Sequence, residues 1–141
     1  MYRTIAITVV FSVCGVGCSD NSGAGPPTAP VSGVLIYNGE PVQYANVIFF
    51  PQKVDGGRTA LAVTDAEVRF SNADGVAVGS HFVTVTEGWP PGQEIPEDEE
   101  GMEIEPPRGP WDNKYRDSTD PPLKVEIVAG QDNKFDFDIS E

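Results

Sequence analysis

Short strands folded into a two-sheet antiparallel sandwich are the expected architecture of this 141-residue chain, and three observations lead there. The first is strict alternation. In LKVEIVA (123–129), Leu123, Val125 and Ile127 share one face while Lys124 and Glu126 share the other. In NKFDFDIS (133–140), Phe135, Phe137 and Ile139 alternate with Asp136 and Asp138. Period two is the mark of a sheet with one buried and one wet face. The second is composition, because 15 Gly and 13 Pro favour many turns over long helices. The third is a count of about seven short apolar runs divided by turn signals, which fits a two-sheet sandwich.

The first element is an address. In MYRTIAITVVFSVCGVGC, Arg3 precedes an apolar run over 5–13, and Gly15 and Gly17 lead into Cys18. A charged start, a short apolar stretch and a small-residue end predict a signal peptide over 1–17. The run is shorter than the ~20 apolar residues a membrane-spanning helix needs. Gly15-Val16-Gly17-Cys18 resembles a bacterial lipobox, which implies acylation of Cys18 as the first residue of the mature chain. Two or more acyl chains anchor stably where one does not. Residues 18–30, including the polar SDNSGAGPPTAP, predict a flexible tether that lifts a domain off the bilayer. Ser19 resembles the signal for outer-membrane sorting. Cys14 and Cys18 are the only cysteines, so no disulfide frames the rest.

The domain is expected over 31–141. VSGVLIY (31–37) runs into Asn38-Gly39, a strong two-residue hairpin signal, and ANVIFF (45–50) supplies the next strand. Val47, Ile48, Phe49 and Phe50 are apolar on both faces, which predicts a central strand. RTALAVT (58–64) and short strands over 67–71 and 81–87 follow. A long connection over 88–122 comes next. The strands over 123–129 and 133–140 close the chain, joined by Gly130-Gln131-Asp132 as an expected C-terminal hairpin.

Val31, Gly33, Gly39, Pro41, Val42, Ala45, Val47 and Phe49 fall in the pattern V-x-G-x-V-x-x-x-G-x-P-V-x-x-A-x-V-x-F. That run resembles the opening of bacterial carboxypeptidase-regulatory-like and transthyretin-like domains. WDNKYRDS followed by the two last strands is similar to the ending of small lipoproteins with that fold. The resemblance implies a transthyretin-like or Ig-like sandwich and an accessory or interaction module, with no reaction attached. Those domains carry a Thr-Asp-x-x-Gly-x-Phe turn. Residues 64–70 keep its ends but put Val68 where the glycine stands, so an altered turn is expected there.

Charge narrows the partners. With 22 acidic against 9 basic residues, the net charge of −13 excludes nucleic acid, which needs clustered Lys and Arg. The expected partners are the membrane, through the lipid, and an envelope protein or glycan. No cofactor and no enzymatic activity are expected. Within the long connection, Glu94, Glu97, Asp98, Glu99, Glu100, Glu103 and Glu105 form an acidic block. Hard cations take six to eight oxygen ligands, so a calcium-dependent binding or adhesion module over 94–105 is the alternative, with Glu97, Asp98, Glu99 and Glu100 as candidate ligands. Trp89, Trp111 and Tyr115 flank the block as candidate partner contacts, or as packing residues that pin its ends. A small hydrolase is the third reading. It is disfavoured because His81 is the only histidine and Ser80 beside it should point to the opposite face. Tyr115-Arg116-Asp117-Ser118 is similar to the Tyr-Arg-Gly-Ser ending of hydroxyisourate hydrolases, yet it is internal and lacks the glycine.

Overall fold

The computed structural model describes residues 25–53 and 55–140. The expected signal peptide and Cys18 lie outside the described residues. Among the described residues eight strands form the fold: β1 (Thr28–Tyr37), β2 (Glu40–Pro41), β3 (Ala45–Pro51), β4 (Ala60–Val63), β5 (Arg69–Ala77), β6 (Gly79–Glu87), β7 (Leu123–Ile127) and β8 (Asn133–Asp138). They make an all-β sandwich of two four-stranded sheets. One sheet has β1 between β5 and β8, with β2 on the end of β1; the other runs β4-β3-β6-β7. Every pairing is antiparallel except that of β1 with β8.

Alternation places the core. Val31, Leu35, Phe70, Val76 and Phe137 from one sheet face Val47, Phe49, Val83, Val85 and Ile127 from the other, all buried. Phe49 and Phe70 meet across the sheets at 6.3 Å, and Phe70 stacks on Phe137 at 5.7 Å. Ring pairs at such separations add to the burial of apolar area that drives folding. β3 lies inside its sheet, as its two apolar faces led one to expect. β1 begins at Thr28, three residues inside the expected tether. The strand expected over 67–71 starts at Arg69 and continues to Ala77 as β5; Gly75, at φ +89°, and a register shift opposite Ala29/Val31 let it stay paired.

The two expected hairpins are corrected by the pairing. β7 and β8 do not pair with each other: β7 adds to β6, whereas β8 runs parallel to β1 from Val31↔Asn133 to Ile36↔Asp138. Alternation reports which face is buried, not which strand lies alongside, and both strands bury an apolar face from opposite sheets. Asn133 carries the crossing. Its side-chain oxygen accepts from Val128 N–H at 2.9 Å, and its NH₂ donates to the carbonyls of Val128 and Pro30. Close approach of β8 to β1 requires Gly33, because a Cβ there would stand 1.7 Å from the Phe135 carbonyl oxygen. Asn38-Gly39 does form a two-residue turn, with φ of +48° and +80°. It returns only into β2, after which Tyr44, at φ +55°, sends the chain to the other sheet.

Candidate functional site

The long connection divides into a clasped base and a projecting tip. At the base, Glu87 ends β6 and meets Arg116, 29 residues on. Arg116 Nε donates to both Glu87 carboxylate oxygens at 3.1 and 3.2 Å, and an Nη2–Oε1 ion pair completes a forked contact. The same guanidinium donates to the carbonyls of Trp111 at 2.7 Å and Gly109 at 2.9 Å, and lies 5.1 Å from the Trp111 ring centre. Gly109 N–H donates back to Glu87. Each charged side chain keeps only 13% of its exposure, so the pair sits where its partners must match it.

Burial pushes the Glu87 carboxyl up, but the Arg116 hydrogen bond, backbone N–H donors and the Arg116 charge outweigh it. The net result lies below the ordinary value.

Around this clasp the connection is fastened to the sandwich. Trp111 is buried, and its Nε1–H donates to Val85 O at 3.2 Å. Asp112 caps a single 3₁₀ turn over Asn113–Tyr115 by accepting from Lys114 N–H. That turn aims the buried Tyr115 at the end of the chain, where its hydroxyl donates to Ser140 O at 2.7 Å. Of the three candidate contact residues, Trp111 and Tyr115 therefore share the core, while Trp89 is half-buried just beyond β6. Neither buried ring offers a free stacking face. Arg116 was read in the sequence only within Tyr115-Arg116-Asp117-Ser118, and Glu87 was not singled out, since a separation of 29 positions leaves no spacing signal for the pair.

The tip is an ordered miniature hairpin. Glu97 bridges Glu103 in antiparallel sense, Asp98 N–H donates to Met102 O at 2.8 Å, and Ile104 N–H donates to Pro96 O at 2.8 Å. Asp98 builds the turn: its Oδ1 accepts from the N–H groups of Glu100 and Met102, both at 2.9 Å, and Gly101 takes φ +78°. Glu97, Asp98, Glu99 and Glu100 are all exposed, and Asp98 already has one oxygen committed to the backbone. Among the described residues, no three His, Cys, Asp or Glu side chains are grouped so as to hold a metal ion.

His81 is buried against the core. Its Nδ1 lies 3.0 Å from Gly79 O, and its Nε2 has no hydrogen-bond partner among the described residues. Ser80 points the other way and donates to Glu126 on the outer face. An open groove of about 560 Å³ lies beside the start of β1, with Thr28, Arg58, Asn72 and Asp74 among its walls.

No protein-family model matches the chain, and no curated protein or solved structure is significantly similar to it. Its fold is a transthyretin-like or Ig-like sandwich. Chemistry must then be argued from the residues themselves, since one fold hosts many functions.

Proposed function

We propose that the chain is a lipid-anchored module of the bacterial cell envelope, of the carboxypeptidase-regulatory-like kind, that acts by binding an envelope protein or glycan. One observation carries the reading. The side chains best suited to chemistry are committed to the fold: Glu87 and Arg116 to each other, Trp111 and Tyr115 to the core, and His81 to the sheet interior. The same fastening holds an ordered segment out into solvent. An exposed element on a rigid frame is the usual arrangement of a binding loop. The lipobox-like Gly15-Val16-Gly17-Cys18 and the polar spacer ahead of β1 support the anchored half of the reading.

Two measurements test it. The mature protein, extracted from bacterial membranes, is expected to carry the mass of a diacylglyceryl group on Cys18, and Cys18→Ala to leave the membrane fraction. A mature chain of unmodified mass would end the anchored half. Cross-linking in intact cells is expected to give a discrete adduct, and a chain that cross-links to nothing would end the binding half.

A further inference from the structure

The apolar surface of the tip is misplaced for a solvated loop. Of the exposed large hydrophobic side chains among the described residues, Leu61, Ile95, Met102, Ile104 and Val128, three sit within ten residues of one another here, with Met102 64% exposed. The antiparallel bridge Glu97↔Glu103 and the bonds that pair 98 with 102 and 96 with 104 assign the faces. Met102 and Ile104 lie on one face with Pro96, and Ile95 on the other with Glu97, Glu103 and Glu105. Exposed apolar side chains grouped on an ordered element and rimmed by polar ones mark an interaction surface. Methionine adapts well to a partner's contour.

We propose that this hairpin, residues 95–104, docks into an apolar cleft bordered by Lys and Arg on a protein partner. The inference rests on the binding role proposed above and names its surface. Met102 and Ile104 fill the cleft, and the carboxylates fix its charge. Glu94, Glu97, Asp98, Glu99, Glu100, Glu103 and Glu105 stand here without a Lys, Arg or His among them. A second copy of the chain brings the same net charge of −13 and is repelled, and an anionic lipid surface is repelled likewise. A cationic protein surface is attracted, and complementary charge raises the rate of encounter and sets the partner. The clasp at Glu87 and Arg116 and the Asp98 turn order the hairpin beforehand, which reduces the entropy lost on docking.

The test uses the full chain in detergent and two labelled probes, an alternating Lys-Leu peptide and its Lys-Ser counterpart of equal charge. Fluorescence anisotropy is expected to give about tenfold tighter binding of the Lys-Leu probe, a preference that M102S/I104S abolishes at unchanged net charge. Leu61→Ser, a remote exposed position, leaves it in place. Equal affinity for the two probes, or M102S/I104S within about twofold of the wild type, overturns the proposal because charge alone would explain the binding. In cells, a photo-cross-linking amino acid at position 102 is expected to capture a partner that one at position 61 does not. Capture from 61 alone overturns the hairpin and leaves the binding module standing, and capture from neither overturns both.

Discussion

The molecule builds the same turn twice, once inside the sandwich and once at the tip of its long connection. Asp65 Oδ1 accepts from Glu67 and Arg69 N–H, Asp65 N–H donates to Arg69 O, and Val68 N–H donates to Asp65 O. Asp98 repeats each bond with Glu100, Met102 and Gly101. The fourth residue is left-handed in both, at φ +61° for Val68 and +78° for Gly101. The expectation of an altered turn at 64–70 is thus corrected: its hydrogen bonding is regular, and it is the residue in the left-handed position that departs. A left-handed conformation costs an L-residue about 1–2 kcal/mol, and a β-branched one is a clear outlier there. The Val68 turn survives because the sheets on both sides hold it. The Gly101 turn has only its own hydrogen bonds and the clasp behind it.

Breaking the clasp should have the largest effect. Arg116→Ala strands the Glu87 carboxylate and leaves the carbonyls of Trp111 and Gly109 without their donor. Removing one member of a buried pair costs ~3–5 kcal/mol; with some solvent contact retained here, about 2–3 kcal/mol is expected by urea unfolding. The loss should carry a pH signature. The folded-state value of Glu87 is depressed, so its stabilisation is fully present above the unfolded value of about 4.3 and disappears as pH falls through the folded one. The gap between wild type and Arg116→Ala should therefore be constant near neutrality and close on acidification below about pH 4. A gap that widens in acid would mean that Glu87 is not held by Arg116.

Asp65→Ala comes next, at about 1 kcal/mol, the scale of losing a side-chain acceptor for two backbone N–H groups. Val68→Gly acts in the opposite direction. It relieves the left-handed strain, while added freedom in the unfolded chain offsets ~0.5–1 kcal/mol, for a net gain of about 0.5 kcal/mol. A loss of stability in Val68→Gly would show that its half-buried methyls outweigh its backbone.

Much of the strand layout was legible because burial writes itself into alternate residues. Phe135, Phe137 and Ile139, or Ala45, Val47 and Phe49, declare an inward face wherever their strand pairs. Pairing itself was not legible. Asn133, whose side chain turns the chain from one sheet to the other, looks like any turn asparagine, and Gly33 gives no sign that it admits β8. The clasp was hidden by 29 residues of separation and by the many carboxylates that compete for one arginine. The tip turn was hidden by charge: Asp98-Glu99-Glu100-Gly101 reads as an acidic block, although its Asp-x-x-Gly spacing matches the Thr-Asp-x-x-Gly-x-Phe turn expected at 64–70. Comparing the two stretches would have found it.

Exchanging the left-handed residues gives the smallest effect and the sharpest contrast. Gly101→Val puts into the tip the strain that Val68 imposes on the sandwich, yet global stability should stay within about 0.5 kcal/mol, as for most exposed substitutions. The tip can open without the core, since its bonds are few and solvent-exposed, so the strain should appear as local opening. Amide exchange at Met102 and Ile104, whose N–H groups bond Asp98 and Pro96, should accelerate while that at Val47 and Val83 in the core strands does not. If unfolding free energy instead falls by the full ~1–2 kcal/mol of the left-handed penalty, the tip is coupled to the sandwich as tightly as the Asp65 turn. The connection would then be a cooperative part of the fold rather than an element carried on it.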